Sequence, residues 1–175
     1  MSKTDNLMPI IASPANLLQA WCLIRGNIPK YRRKNCVGPD GVSVYDFEQD
    51  LQCQISVLRY QLLKGRYKPT PPTYFSVPKK TGGNRSIAML TVADRVVQRA
   101  VQQVIEPYWE KIFLPCSFGY RPGLSINDAI NRVTRMRSLG NTWVVNGDID
   151  GFFDNLDQKI LLKNFNKMIK DHRVV

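Results

Sequence analysis

The sequence predicts an α+β fold, and three observations carry that expectation. Apolar residues recur at helical spacing in several separate segments. Short β-branched and aromatic runs, at 74–77, 85–90 and 143–148, read as strands between them. Finally, 175 residues with 43% hydrophobic and 22% charged content are enough to bury one ordinary core.

Each element has its own signal. Residues 13–26 read as a helix that Ser13 caps, with Pro14 in the first turn and Leu17, Leu18, Trp21 and Leu23 on the apolar side. A basic loop, IPKYRRKNCVGPDGVS, follows, with turn chemistry at Gly38-Pro39-Asp40-Gly41. A second helix is expected over about 44–63, with Phe47, Leu51, Ile55, Leu58 and Leu62 inward. Gly65 stops it, and the prolines of KPTPP keep the next stretch extended. Strands 74–77 and 85–90 form a hairpin around Gly82-Gly83. Thr91 and Asp94 have capping-box spacing ahead of an apolar stripe of Val92, Val96, Ala100, Val104 and Ile105, and Pro107 is expected to kink or end that helix. Ser125 and Asp128 repeat the box, with Gly140 closing the helix. A strand at 143–148 and a last helix from near Asp157, with Ile160, Leu161, Phe165 and Ile169 inward, complete the chain.

The net charge of +11 suits a polyanionic partner, nucleic acid above all. Cys22, Cys36, Cys53 and Cys116 make no C-x-x-C pair, and His172 is the one histidine, which argues against structural zinc. They read as free, buried, reduced thiols. No secretory leader opens the sequence and no apolar run is long enough to span a bilayer, so a cytoplasmic setting is expected.

Three segments carry chemistry. WVVNGDIDGFFDNLD places Asp148, Asp150, Asp154 and Asp157 after an apolar run. A carboxylate at a strand end is well placed for Mg²⁺, which takes hard oxygen ligands, although N-caps and surface acids fit the same spacing. In the hairpin, Lys79, Lys80 and Arg85 flank two glycines that let backbone approach a ligand. They suit a triphosphate, or simply a solvated tip. In CSFGYRPG, Tyr120 and Arg121 can touch a nucleic-acid backbone or stack on bases, or close a packed aromatic corner.

Taken in order, GPDGVS with its helix, YKPTPPTYFSVPKKTGGNRSIAMLTVADRVVQ, AVQQVIEPYWEKIFLPCSFGYRPGLSINDAI and WVVNGDIDGFFDNLD resemble the N-terminal part of a bacterial group II intron-type reverse transcriptase. CRISPR-associated and phage-defence reverse transcriptases look similar. The resemblance covers roughly Gly38 onward and implies the fingers and an incomplete palm of a right-hand polymerase. The corresponding division is an N-terminal extension at 1–37, fingers at 38–140 and the start of the palm at 141–175. It implies that Asp148 is the first catalytic metal-binding aspartate and that the Ile149 carbonyl is a further ligand of a two-Mg²⁺ site. Phe153 matches the aromatic gate against a ribose 2′-hydroxyl. Lys79 and Arg85 match residues that hold the incoming triphosphate, and Tyr120 and Arg121 fall near the template and primer. Asp150 is not a metal ligand of the family.

The sequence departs from the family in two places. It has RSIAML where the family usually has RPLGIP, and it contains no Ala-Asp-Asp motif, the source of the other two metal aspartates. The expected function is therefore the N-terminal part of an RNA-directed DNA polymerase that uses an RNA template, a DNA primer and deoxynucleoside triphosphates, inactive as this chain alone. Alternatives are a non-catalytic module for intron or guide RNA, or a split subunit whose palm a second chain completes. No membrane partner is expected.

Overall fold

The computed structural model describes residues 6–78, 82–149, 151–153 and 155–174. Its helices are α1 (Met8–Ile11), α2 (Pro14–Gly26), α3 (Val44–Gln49), α4 (Leu51–Leu63), α5 (Val92–Glu110), α6 (Ile126–Ser138) and α7 (Gln158–Met168), with one 3₁₀ turn at Lys30–Arg32. Strands β1 (Thr73–Pro78) and β2 (Asn84–Met89) form a two-stranded antiparallel sheet. The mixture of helix with a small sheet agrees with the expected class. Among the described residues no helix is long and apolar enough to cross a membrane. The chain divides into two compact units, Met1–Ile105 with Asn166–Val175, and Glu106–Phe165.

The core of the first unit is built by α1 to α5. Ser13 Oγ accepts from the Asn16 amide and caps α2, which turns Leu17 and Trp21 inward. Leu23, expected on the same side, is exposed because it lies off that stripe. The Trp21 ring meets Phe47 at a centroid distance of 5.0 Å. Ile55, Leu58 and Leu62 of α4 and Val92, Val96 and Ala100 of α5 complete the buried set. The Asn16 amide donates to the carbonyls of Ile11 and Ala100, both at 3.0 Å, and accepts from Gln103 Nε2 at 2.7 Å. One side chain thereby joins the α1–α2 corner to α5.

The single helix expected over 44–63 is two. Asp50 (φ −106°, ψ 26°) leaves the α region, so α3 ends and α4 restarts around it. Pro107 lies inside α5, which continues to Glu110. The four cysteines are free as expected, but Cys22, Cys53 and Cys116 are exposed and Cys36 is half-buried, which corrects the buried placement.

The N-terminus of α5 is the busiest junction of the first unit. Asp94 and Thr91 form the expected capping pair, with Thr91 Oγ1 donating to Asp94 Oδ2 at 2.6 Å and the Asp94 amide donating to Thr91 Oγ1 at 3.0 Å. The same buried carboxylate accepts from the Tyr67 hydroxyl and, at 3.2 Å, from the Thr70 amide. Burial, and then the neighbouring Asp94 carboxylate, push the Tyr67 phenol far above its ordinary range, so it remains a donor. Gly38 closes on the same place. A Cβ there would lie 3.0 Å from Thr91 Cα and 2.6 Å from Asp40 Oδ1, so glycine lets the Gly-Pro-Asp-Gly turn reach α5.

The hairpin departs from this junction. Its register runs from Thr73↔Met89 to Pro78↔Asn84, and most of its residues are exposed. Gly82 (φ 91°) and Gly83 (φ 77°) occupy the left-handed region at its turn. With so little of the ladder buried, the Thr70 and Tyr67 bonds at its root fix where it begins.

A second clasp joins the ends of the first unit. Asp171 is 1% exposed and accepts from the Met8 amide at 2.9 Å and from Arg173 Nε and Nη2, both at 2.8 Å. Arg173 Nη2 also donates to Asn6 Oδ1 at 2.6 Å. The Arg173 bonds in the first place hold the Asp171 carboxyl far below its ordinary range.

In the second unit, Trp109 packs on Phe165 at 5.7 Å. Ser125 and Asp128 form the expected reciprocal box at the start of α6, and Gly140 (φ 94°) follows its end. Asp157 Oδ1 accepts from the Lys159 and Ile160 amides at 2.8 and 3.1 Å, which makes it the cap of α7. Phe165 is half-buried as expected, whereas Ile160 and Leu161 are exposed; Ile169, just past α7 and in the first unit, is buried as expected. The largest correction concerns the strand expected at 143–148. Those residues form no ladder with any described residue, and Trp143, Val144 and Val145 are 94%, 81% and 95% exposed. A strand exists only in a pair, and the hydrophobic run has neither a hydrogen-bonded neighbour nor a covering layer among the described residues.

Two stability predictions follow from the clasps. Asp94→Ala leaves the Tyr67 hydroxyl, the Thr70 amide and the Thr91 hydroxyl without their acceptor, so urea unfolding should show a loss of about 2–4 kcal/mol, against about 1 kcal/mol for Tyr67→Phe. Because the folded Asp171 pKa is depressed, its stabilisation is present above the ordinary carboxylate range and is lost as pH falls through and below it. Acid titration of the melting temperature should therefore show a decline that Asp171→Asn makes shallower.

Candidate nucleotide and nucleic-acid site

The residues singled out by sequence fall in both units. Arg85 stands on β2 opposite Val77, exposed, and its side chain makes no hydrogen bond to another described residue. Its guanidinium is free for a planar anion such as phosphate. Lys79, Lys80, Asp150 and Asp154 lie outside the described residues.

In the second unit, residues 141–149 form neither helix nor strand, and Asp148, next to last among them, is exposed. Its Oδ1 accepts from the Ile149 amide at 3.0 Å, and its other oxygen faces no described donor. Gly151 (φ 56°) then turns the chain, and the Asn155 amide closes the turn on the Gly151 carbonyl at 2.9 Å. A Cβ on Gly151 would lie 2.9 Å from the end of the Asn155 side chain, and the positive φ is the stronger demand for glycine at this turn. It sets Phe152 and Phe153 on a bend, with ring centroids 5.4 Å apart. Phe153 stays 73% exposed, whereas Phe152 joins Ile149, Leu156, Ile160 and Leu161 in lining a shallow cleft of about 290 Å³.

The two neighbours Tyr120 and Arg121 have opposite fates. Tyr120 is 97% exposed and, among the described residues, is the one non-glycine with positive φ, at 58°. A left-handed tyrosine persists only where its surroundings impose the conformation. Its ring lies edge-on to Phe153, 6.5 Å between centroids at 79°. That spacing and the high exposure together mean a glancing contact that leaves both ring faces open. Arg121 is turned inward. Its Nε and Nη2 donate to the Glu110 carboxylate at 3.1 and 2.9 Å, and its Nη1 to the carbonyls of Leu114 and Ser117 at 3.1 and 2.8 Å. Its guanidinium also lies 5.3 Å from the centre of the Phe113 ring. Sequence reasoning missed Glu110, because a carboxylate eleven residues before the arginine has no periodic relation to it.

Asp148 and the Ile149 carbonyl are oxygen donors of the kind magnesium takes. Among the described residues, however, no three His, Cys, Asp or Glu side chains gather closely enough to hold a metal ion. These two donors do not make a metal site by themselves.

Residues 77–175 match the family model for reverse transcriptase, the RNA-dependent DNA polymerase, and the chain belongs to that family. It is 35% identical over 140 residues to protein YkfC of Escherichia coli K12, across 78% of this chain and 37% of that protein. It is 33% identical over 122 residues to the group II intron-encoded protein LtrA of Lactococcus lactis, across 69% of this chain and 20% of LtrA. A 91 kDa protein in the cob intron of Schizosaccharomyces pombe is 28% identical over 137 residues, across 78% of this chain and 16% of its own length. The chain thus spans well under half the length of these relatives.

Proposed function

We propose that this chain supplies the fingers and the first part of the palm of an RNA-directed DNA polymerase. The complete enzyme adds deoxynucleotides to a DNA primer on an RNA template with two Mg²⁺ ions. The observation that carries the reading is the family match over residues 77–175, within which Asp148 is an exposed carboxylate five residues before the open ring of Phe153. In this reading Asp148 and the Ile149 carbonyl are metal donors and Phe153 is the gate against a 2′-hydroxyl. Lys79 and Arg85 hold the triphosphate, and Tyr120 meets the template or primer.

The sequence has no Ala-Asp-Asp segment to bring the further carboxylates. The 175-residue chain by itself should therefore extend no primer, with or without Asp148→Ala. Incorporation by the chain alone that disappears in Asp148→Ala would overturn this. The +11 charge supports RNA binding that does not need the metal. Affinity for a single-stranded RNA should fall steeply with salt, with a log–log slope of about −0.7 for each phosphate neutralised, and should survive Asp148→Ala.

One observation favours a second reading, in which another polypeptide completes the palm. Trp143, Val144 and Val145 are exposed, and so are Ile126, Ile130 and Val133 at helical spacing on α6. Such surface promotes self-association. Sedimentation of the isolated chain should show concentration-dependent oligomers, and a monodisperse monomer at high concentration contradicts this reading.

A further inference from the structure

We propose that Glu110 is a positioning residue for the nucleic-acid contact at Tyr120, acting through Arg121. The inference rests on the reading above that Tyr120 meets template or primer. It reassigns the charge beside it. An arginine next to an exposed aromatic invites the view that it grips phosphate, but here the side chain is only 13% exposed and its donors are already engaged. Glu110 takes Nε and Nη2 in a forked ion pair, and the Leu114 and Ser117 carbonyls take Nη1. The guanidinium keeps little donor capacity for a phosphate.

The pair has a structural consequence one residue away. It ties Arg121 back to the end of α5 and to both carbonyls of the intervening loop. Tyr120, held between that anchor and Gly119, adopts the left-handed conformation that a tyrosine does not choose freely. The result is a ring that projects 97% exposed, edge-on to Phe153. Stacking on a base needs such an open face held in place before the base arrives, because ordering it on binding lowers affinity. Glu110 thus strengthens binding of a polyanion although it is itself an anion.

That sign makes the proposal testable. The probe is a fluorescein-labelled single-stranded oligoribonucleotide, titrated by anisotropy with the full 175-residue chain at several salt concentrations. Tyr120→Ala should weaken binding about tenfold, the loss of one stacked base. Glu110→Gln should weaken it to a similar degree, although removing a negative charge would otherwise tighten binding. Arg121→Lys, which keeps the charge and loses the fork, should do the same. The salt slope should stay unchanged in all three. The double variant Tyr120→Ala/Glu110→Gln should bind no more weakly than Tyr120→Ala alone. If Tyr120→Ala weakens binding while Glu110→Gln leaves it unchanged or tightens it, the positioning role is overturned. Losses that add in the double variant overturn it too, since Glu110 would then act by general destabilisation. If Tyr120→Ala itself has no effect, the template reading of Tyr120 falls, and the inference with it. A shallower salt slope in Arg121→Ala, with Glu110→Gln neutral, would instead make Arg121 a direct phosphate ligand.

Discussion

The buried Asp94 carboxylate is the constraint on which most of the first unit depends. A carboxylate at the first turn of a helix is ordinary, favoured by the free amides and the helix dipole. One that is also buried must find hydrogen-bond donors, since an unpaired buried charge is costly. Asp94 finds them in Thr91, in Tyr67 and in the Thr70 backbone. The last two belong to the extended Pro-rich stretch that precedes the hairpin. Satisfying one charge therefore sets the start of α5 and the root of β1 together. The close approach of Gly38 to Thr91 adds the Gly-Pro-Asp-Gly turn to the same point. Arg85 extends from this junction on an exposed ladder, so its position is inherited from contacts well behind it.

The second unit follows a different logic. Its chemistry-bearing groups are exposed and sit on bends that backbone geometry imposes. Gly151 and Tyr120 are both left-handed, and between them they aim Phe153 and the Tyr120 ring into open space. What holds these bends is polar and local, namely the Asn155–Gly151 turn and the Arg121–Glu110 fork. Among the described residues, the apolar run before Asp148 lacks the pairing that would make it a strand. Open rings, an open carboxylate and an exposed hydrophobic run lie within a short stretch of this unit.

Much of this was legible in the sequence wherever the determinant was local. The Thr91–Asp94 and Ser125–Asp128 pairs span three residues, and Ser13 and Asp157 cap the helices that follow them. The hairpin was legible from its paired runs and its two glycines. What sequence missed was set at a distance. Nothing near Asp94 in the chain points to Tyr67, twenty-seven residues earlier. Nothing near Arg121 points to Glu110, so the sequence left open whether this side chain meets nucleic acid or closes a packed corner. The 143–148 run has strand composition, but composition does not supply a neighbour. Family resemblance supplied the roles of Asp148, Phe153, Arg85 and Lys79, which spacing alone left open between chemistry and capping.

The proposal that residues 77–175 are working polymerase parts whose chemistry passes through Asp148 stands or falls with one experiment. A domain exchange tests it most directly. The matching stretch of a longer reverse transcriptase, shown to be active in the same assay, is replaced by residues 77–175 of this chain. DNA synthesis on an RNA template is then measured for the soluble chimaera and for its Asp148→Ala variant. The account predicts synthesis by the chimaera and its abolition in Asp148→Ala. A folded chimaera without synthesis, or synthesis that persists in Asp148→Ala, would contradict it.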